Sequence, residues 1–452
     1  MQLIVFNRLG MHPKTLLKKQ VKDGFAGAFE QAISAKQLSA LCRRHEPTAR
    51  RKRKLSTGTI VRNLVFHQLR EHGTLAQHGA MSAGRTITDS AYAQRRKRLG
   101  KKLFDELLDT ALKPLADARE HPGSFHKGMR LVGIDGTQMS VLNTPGNAAL
   151  PKAKTRRAKA AFAKIKLVTA MELGLHNPLA AQTGTLKDYE VNLAMQLLPK
   201  LPPDSLVIVD RLYGVAKHYL PMREQLAAKG SELLVRVRNN LNVRLLEKLP
   251  DGSALVEVRQ GGKKIVVREI RALLKVDGQT KPVNVRLWTS LLDASEHPAD
   301  ELVRLYALRW EQELGYKEFK LDMRNAQVLD SHSEHTALQE VAARVLAMAC
   351  VARVRARMAH SQGRPASTVS FRKVLLCTLG LWEAFWLGGA SLGKRQKQAM
   401  LEKYYEWLER EALLAPRRVR RCPRAVRKPV SGWPRLIKRT QSKTQVIIKI
   451  TP

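Results

Sequence analysis

The sequence predicts an α/β protein, with helices ahead of the sheet-forming part, a β-rich insertion within it and a basic tail behind it. Three observations predict this. From Met129 onward, short apolar runs of strand length alternate with helix-like segments. Between Asn239 and Asp293 the rhythm changes to apolar–polar alternation around Gly261-Gly262, a hairpin signature. From Arg417 to Pro452 there is no Asp or Glu, while Arg and Lys abound.

Residues 1–125 read as a helical N-terminal region. The stretch "RRHEPTARRKRKLS" is densely basic, and "TITDSAYAQRRKRLGKKLFDELLDTAL" offers Thr88 or Asp89 as the N-cap of a basic helix. Arg95, Arg96, Lys97 and Arg98 on one helix suit contact with a DNA backbone, and a solvated basic face is the alternative. The first part of the α/β core is expected over 126–238. There "MRLVGIDGTQMSVLNT" reads as strand, sharp Asp-Gly-Thr turn, strand. "DSLVIVDRLYG" reads as a buried central strand ending in Asp210. The insertion follows over 239–295. A helical second part of the core spans 296–395, and a basic extension spans 396–452, its tail from Arg417 to Pro452 expected to be poorly packed.

Composition narrows the function. The chain has 452 residues, with 80 Lys+Arg against 39 Asp+Glu, a formal net charge of +41. An excess of that size attracts polyanions, nucleic acid above all. The four cysteines are far apart, which argues against a disulfide framework or a zinc knuckle and for a reducing cytoplasm. "VLLCTLGLWEAFWLGG" is too short for a membrane span and is interrupted by Glu383, so a core helix is expected and no membrane partner. The N-terminus carries no long apolar run of the kind that marks a signal segment.

The stretch "YALRWEQELGYKEFK" carries the chemistry. On a continuous helix at about 100° per residue, Tyr306, Arg309, Glu313 and Lys320 share one stripe roughly 60° wide. Apolar shoulders flank it, with Trp310, Leu314 and Leu321 on one side and Leu305, Leu308, Tyr316 and Phe319 on the other. Glu311, Gly315 and Glu318 fall on the arc expected to face water. Inward charge demands a partner, a metal or a ligand; an Arg309–Glu313 ion pair is the simplest alternative. Asp135 and Asp210 are expected at strand ends, which point into ligand crevices in open α/β sheets. Two such aspartates and an inward glutamate can hold two divalent ions, the arrangement that cuts and joins phosphodiesters.

The segments "GIDGTQMSV", "LVIVDRLYG" and "YALRWEQELGYKEFK" resemble the three catalytic segments of DDE transposases of bacterial insertion sequences. Tyr306-x₂-Arg309-x₃-Glu313-x₆-Lys320 matches the Y-R-E-K signature of the insertion sequence four family. The resemblance is good from about Gly133 to Leu321, looser over the N-terminal helices and weak in the tail. It implies an RNase H-like core with a β-strand insertion domain between the second Asp and the Glu. It also implies Asp135, Asp210 and Glu313 as catalytic ligands of Mg²⁺, with Mn²⁺ as substitute. Tyr306, Arg309 and Lys320 would hold DNA-end phosphates. Arg236 and Arg238 would contact DNA or line a solvated strand edge, and Trp288 would stack on a flipped base or fill a core. The implied activity is cleavage at terminal inverted repeats and strand transfer to target DNA, by a homodimer at the bacterial nucleoid. Two rivals stay open: a metal-dependent nuclease that cuts without joining, and a domesticated DNA-binding regulator.

Overall fold

The computed structural model describes residues 25–46, 55–83, 86–153, 160–276, 282–324, 328–388, 391–414, 424–427, 434–437 and 446–450. Helices and strands are mixed as expected, in two compact units. The first comprises Met1–Pro202 and Glu311–Leu413, the second Pro203–Trp310 and Leu414–Pro452.

The first unit opens with helices α1 (Phe25–Ala32), α2 (Ala35–His45), α3 (Thr57–His67), α4 (Leu75–Ala83), α5 (Asp89–Lys97) and α6 (Lys101–Ala111). Hydroxyl caps start several of them. Ser34 and Gln37 form a capping box on α2, Ser56 caps α3, and Thr88 rather than Asp89 caps α5. Ile60, Val61, Leu64, Leu103, Phe104 and Leu107 are buried at helical spacing and form the core of this layer. The basic segment 47–54 lies outside the described residues.

His67 and His78 link α3 to α4, their Nδ1 atoms 2.8 Å apart. Burial and the charge of Arg324 lower His67 to about 2; burial and Arg70 lower His78 to about 4. Both rings are therefore neutral in the fold, whereas an unfolded histidine gains a proton near 6.5. This contribution to stability is complete above about pH 6.5 and is lost as the pH falls toward 4. A drop in melting temperature between pH 7.5 and 5 that His67→Asn reduces is the expected observation.

Strands β1 (Phe125–His126), β2 (Met129–Val141), β3 (Lys164–Glu172) and β4 (Asn177–Thr185) come next, then helix α7 (Glu190–Met195). β3 pairs antiparallel with both β2 and β4. The expected turn at Asp135-Gly136-Thr137 is not there. β2 runs straight through it, with Asp135 opposite Thr169 and Gly136 opposite Val168. Gly136 serves a close approach instead, since a Cβ there would lie 2.3 Å from the carboxyl carbon of Glu190.

In the second unit, β5 (Ser205–Val209) is buried throughout and leads through α8 (Ala216–Ala227) to the parallel strand β6 (Glu232–Arg236). β7 (Arg244–Lys248), β8 (Ala254–Gln260), β9 (Lys263–Val276) and β10 (Val283–Thr289) form the expected antiparallel sheet, and β10 also pairs with β6. Gly261 and Gly262, with φ of 56° and 80°, make the β8–β9 turn that the Gly-Gly pair predicts. Helix α9 (Ala299–Ala307) ends this part.

The chain then returns to the first unit with α10 (Arg309–Lys317), whose first two residues are counted in the second unit, and a π-helical turn over Glu318–Asp322. β11 (Val328–Leu329) pairs parallel to β2. Helix α11 (Glu334–Ser361) is buried on nearly every side and packs on β4, α3 and α6. α12 (Phe371–Gly388) and α13 (Lys394–Glu411) come last in this unit. α12 buries Val374, Leu375, Cys377 and Leu381, as expected of a core helix, but exposes Leu376 and Leu387. Among the described residues, no helix is long and apolar enough to cross a membrane.

The tail departs from the loosely packed extension expected of it. β12 (Arg424–Arg427) pairs with β13 (Pro434–Ile437), and β14 (Val446–Ile450) pairs antiparallel with β9. The apolar run Val446-Ile447-Ile448 is the sequence signal for that last strand. The remainder of Arg417–Pro452 lies outside the described residues.

Candidate active site

Within the first unit, Asp135 lies in the middle of β2 rather than at a strand end. It is half-buried, and its Oδ1 accepts from the Gly136 N–H at 2.7 Å. Helix α10 packs against this point. The buried Gln312 Nε2 donates to Thr169 Oγ1 at 2.9 Å. Thr169 Oγ1 lies 2.9 Å from the Tyr316 hydroxyl, and that hydroxyl donates to the Asp135 carbonyl oxygen. Burial, and then the charge of Asp135, pushes the Tyr316 phenol well above its ordinary value, so the hydroxyl keeps its proton. Glu313, half-buried, comes directly after Gln312 on the same helix.

The single helix expected from Tyr306 to Lys320 is broken twice. α9 ends at Ala307 with Leu308 as its C-cap, and the π-helical turn begins at Glu318. Each break rotates the later residues away from their places on a regular wheel. Trp310 is therefore 56% exposed and Leu321 39%, against the expected burial. Glu318, expected to face water, is buried. It accepts from Arg355 at 3.0 Å and lies 2.8 Å from His176 Nδ1, while Glu311 lies 2.8 Å from His176 Nε2. Burial opposes the charged form of His176, but the charge of Glu318 and the hydrogen bonds to Glu311 and Glu318 outweigh it and raise its pKa. Tyr316 and Phe319 are buried as expected. Lys320 lies on the π-helical turn, where burial and then neighbouring Lys164 lower its pKa.

In the second unit, Asp210 directly follows β5, as expected, and its Oδ1 accepts from the Leu212 N–H at 2.7 Å. The neighbouring strand β6 ends at Arg236. Tyr306 is buried close by, at the end of α9. Burial raises its phenol to about 12, against the lowering effect of Arg309 and Arg236, with Asp210 adding a smaller upward push. Tyr306, Arg309, Arg236 and Asp210 are thus neighbours. Beside them, Arg211, Arg236, Arg238, Asn239 and Asn240 line a recess of about 360 Å³. Buried Arg286, which the sequence does not single out, fixes the rim of the recess. It donates to the carbonyls of Asn239 and Leu241 at 3.1 and 2.7 Å and to Glu269 at 2.9 Å.

Three predicted contact residues are interior groups. Trp288 is 1% exposed, donates from Nε1 to Glu269 at 2.8 Å and meets Tyr219 edge to face, so it is a core tryptophan with no face open to a base. Arg95 forms a buried fork on Glu46 at 3.0 and 3.1 Å. Arg96 donates to Ser331, to the Thr336 carbonyl and to Gln339. Arg98 is exposed. Replacing Arg98 by Ala is expected to reduce the slope of log affinity against log salt for DNA by about one. Arg95→Ala should leave that slope alone and cost about 1.5–3 kcal/mol of stability. Filter-binding salt titrations and urea melts check the pair.

Among the described residues, no three side chains of His, Cys, Asp and Glu form a ready-made metal cage. The donors in question are nonetheless carboxylate oxygens, the ligand type that hard divalent cations select.

Residues 126–350 match the family described as the transposase DDE domain. The chain is 30% identical over 368 residues to transposase InsG of insertion sequence element IS4 from Escherichia coli K12, covering 79% of this chain and 80% of that protein. It is 26% identical over 220 residues to the putative transposase InsZ of the same organism, covering 42% of this chain and 72% of that one. Among solved structures, a piggyBac transposase synaptic complex with hairpin DNA aligns over 86% of both chains, with a TM-score of 0.45 and 9% identity.

Proposed function

This chain belongs to the IS4 family of DDE transposases, and from that premise we propose that it binds the terminal inverted repeats of its own element, cleaves at both ends and transfers the freed strands to target DNA. It is a DNA-cleaving and strand-transferring enzyme of that family. Asp135, Asp210 and Glu313 are the catalytic carboxylates in this reading, and they would hold Mg²⁺, or Mn²⁺ in its place. When bound, such ions activate the attacking oxygen and stabilise the leaving one.

The observation that carries the reading is the grouping of Arg309, Arg236 and Asp210 about Tyr306, beside the recess lined by Arg211 and Arg238. A phosphodiester needs cations to hold its oxygens and a carboxylate beside the bond that breaks. Arg309 and Arg236 supply forks, and Lys320 a point charge. Exposed basic residues of the N-terminal helices, Arg98 among them, would add phosphate contacts along the duplex.

The succession of three antiparallel strands and then β5–α8–β6 supports an RNase H-like core, with β7–β10 as its insertion domain. Two copies, each holding one end, would make the synaptic complex in the bacterial cytoplasm, on nucleoid DNA. The test is a plasmid carrying the gene with its own flanks, incubated with the protein and Mg²⁺. Excision at both ends with joined products supports the reading. Cutting without joining favours a nuclease, and binding without cutting favours a regulator.

A further inference from the structure

We propose that Gln312, Thr169 and Tyr316 form a positioning relay that fixes the helix carrying Glu313 on the strand carrying Asp135. The proposal rests on the transposase reading above and concerns how its carboxylates are held.

The relay has only one consistent direction. The Tyr316 proton goes to the Asp135 carbonyl, so the Tyr316 oxygen is left to accept. The Thr169 hydroxyl must then donate to it, across 2.9 Å. The Thr169 oxygen in turn accepts from the Gln312 amide at 2.9 Å. The relay starts one residue before Glu313 and ends on the peptide of Asp135 itself. Thr169 is also the residue paired with Asp135 across β2 and β3, and its N–H lies 3.3 Å from the Tyr316 oxygen. The phenol therefore touches both backbone groups of the Asp135–Thr169 pair.

Packing does not explain the hydroxyl, because a phenylalanine would fill the same volume. Gln312 is wholly buried, Thr169 3% exposed and Tyr316 7%, so water cannot substitute for a lost member. Rotating or sliding α10 would break the relay at a buried atom. Two carboxylates that share a cation need fixed separation, and groups that orient metal ligands from behind act through such bonds.

The test uses the full chain with Tyr316→Phe, Thr169→Val, the double variant and Thr169→Ser. Two readouts are taken: Mg²⁺-dependent cleavage of a plasmid carrying the element's own ends, and the rise in melting temperature with added Mg²⁺ and no DNA. Tyr316→Phe is expected to slow cleavage about 10–100-fold and to raise the Mg²⁺ needed in both readouts by a similar factor. Binding of the ends should stay within about twofold, since cations elsewhere supply it. The double variant should be no slower than the slower single, as expected for one chain of bonds. Thr169→Ser, which keeps the hydroxyl, should restore cleavage. The proposal is overturned if Tyr316→Phe titrates with Mg²⁺ like wild type, or if cleavage falls only in step with melting temperature. If wild type binds Mg²⁺ but never cuts, the transposase reading fails, and the Mg²⁺ titration still decides the relay.

Discussion

Glu313→Gln is expected to abolish cleavage of the element ends while leaving them bound. The substitution keeps the size of the side chain and removes the charge. Glu313 is half-buried, and Gln312, Tyr316 and Glu311 on the same helix keep their hydrogen bonds in the variant, so the helix should stay in place. Loss of one charged partner at a reacting centre costs on the order of 10²–10³-fold in rate, and loss of a metal ligand at least that. Binding should hold or tighten slightly, because one negative charge is withdrawn from the neighbourhood of phosphates. Gel shifts on the terminal repeats and cleavage time courses on the same plasmid make the comparison. A variant that cuts at the wild-type rate would remove Glu313 from the chemistry.

The second large effect concerns stability in the other unit. Arg268 on β9 has no solvent exposure. It donates to Ser253 Oγ at 2.8 Å and to the His297 carbonyl at 2.7 Å, and it is paired with Asp251. Asp251 also accepts from the Ala299 N–H at 2.8 Å, at the first residue of α9. Hydrogen bonds from Ser253, the charge of Arg268 and that N–H together hold Asp251 below the usual carboxylate range, against the opposing and largest effect of burial. Arg268→Met strips this cluster of its cation and leaves Asp251 and the carbonyls facing a thioether. Removal of one partner from a buried pair costs about 3–5 kcal/mol. Urea unfolding should register that loss. Arg268→Met with Asp251→Asn should cost less than the sum of the singles. Because Asp251 anchors the start of α9, the same variant should loosen Tyr306 at its far end and weaken end cleavage.

The parts legible in the sequence share a short range. Asp210 is legible because a five-residue apolar run must be a buried strand and the Asp stands at its exit. The insertion is visible because alternation and a Gly-Gly pair are local signals. The motif singles out Asp135 in the sequence, but the setting of that residue is not visible there. Asp-Gly normally marks a turn, and the residue that requires the glycine is Glu190, more than fifty positions away in the chain. The basic run gives the sign of the charge at Arg95 and Arg96 but not their partners; Glu46 and Ser331 come from other elements. Trp288 lies on a strand buried on both faces, where alternation cannot tell core from contact. The wheel through Tyr306 to Lys320 assumes one regular helix, and no residue there announces the π-helical turn that brings Glu318 inward.

The strand β14 has a consequence for how the protein comes into being. Ile448 pairs with Leu274, so the sheet of the second unit gains β14 only long after β9 has been synthesised. The first unit waits as well. Its opening helices are held by the later helix α11, through Gln68 to Arg344 and Arg96 to Gln339. Each unit is closed by residues made long after its first ones, and contacts so distant in sequence form slowly. A ribosome stalled near residue 413 would carry the material of the first unit and a second unit lacking β12, β13 and β14. In such a nascent chain the unit that carries Asp210 and Tyr306 would still be unfinished.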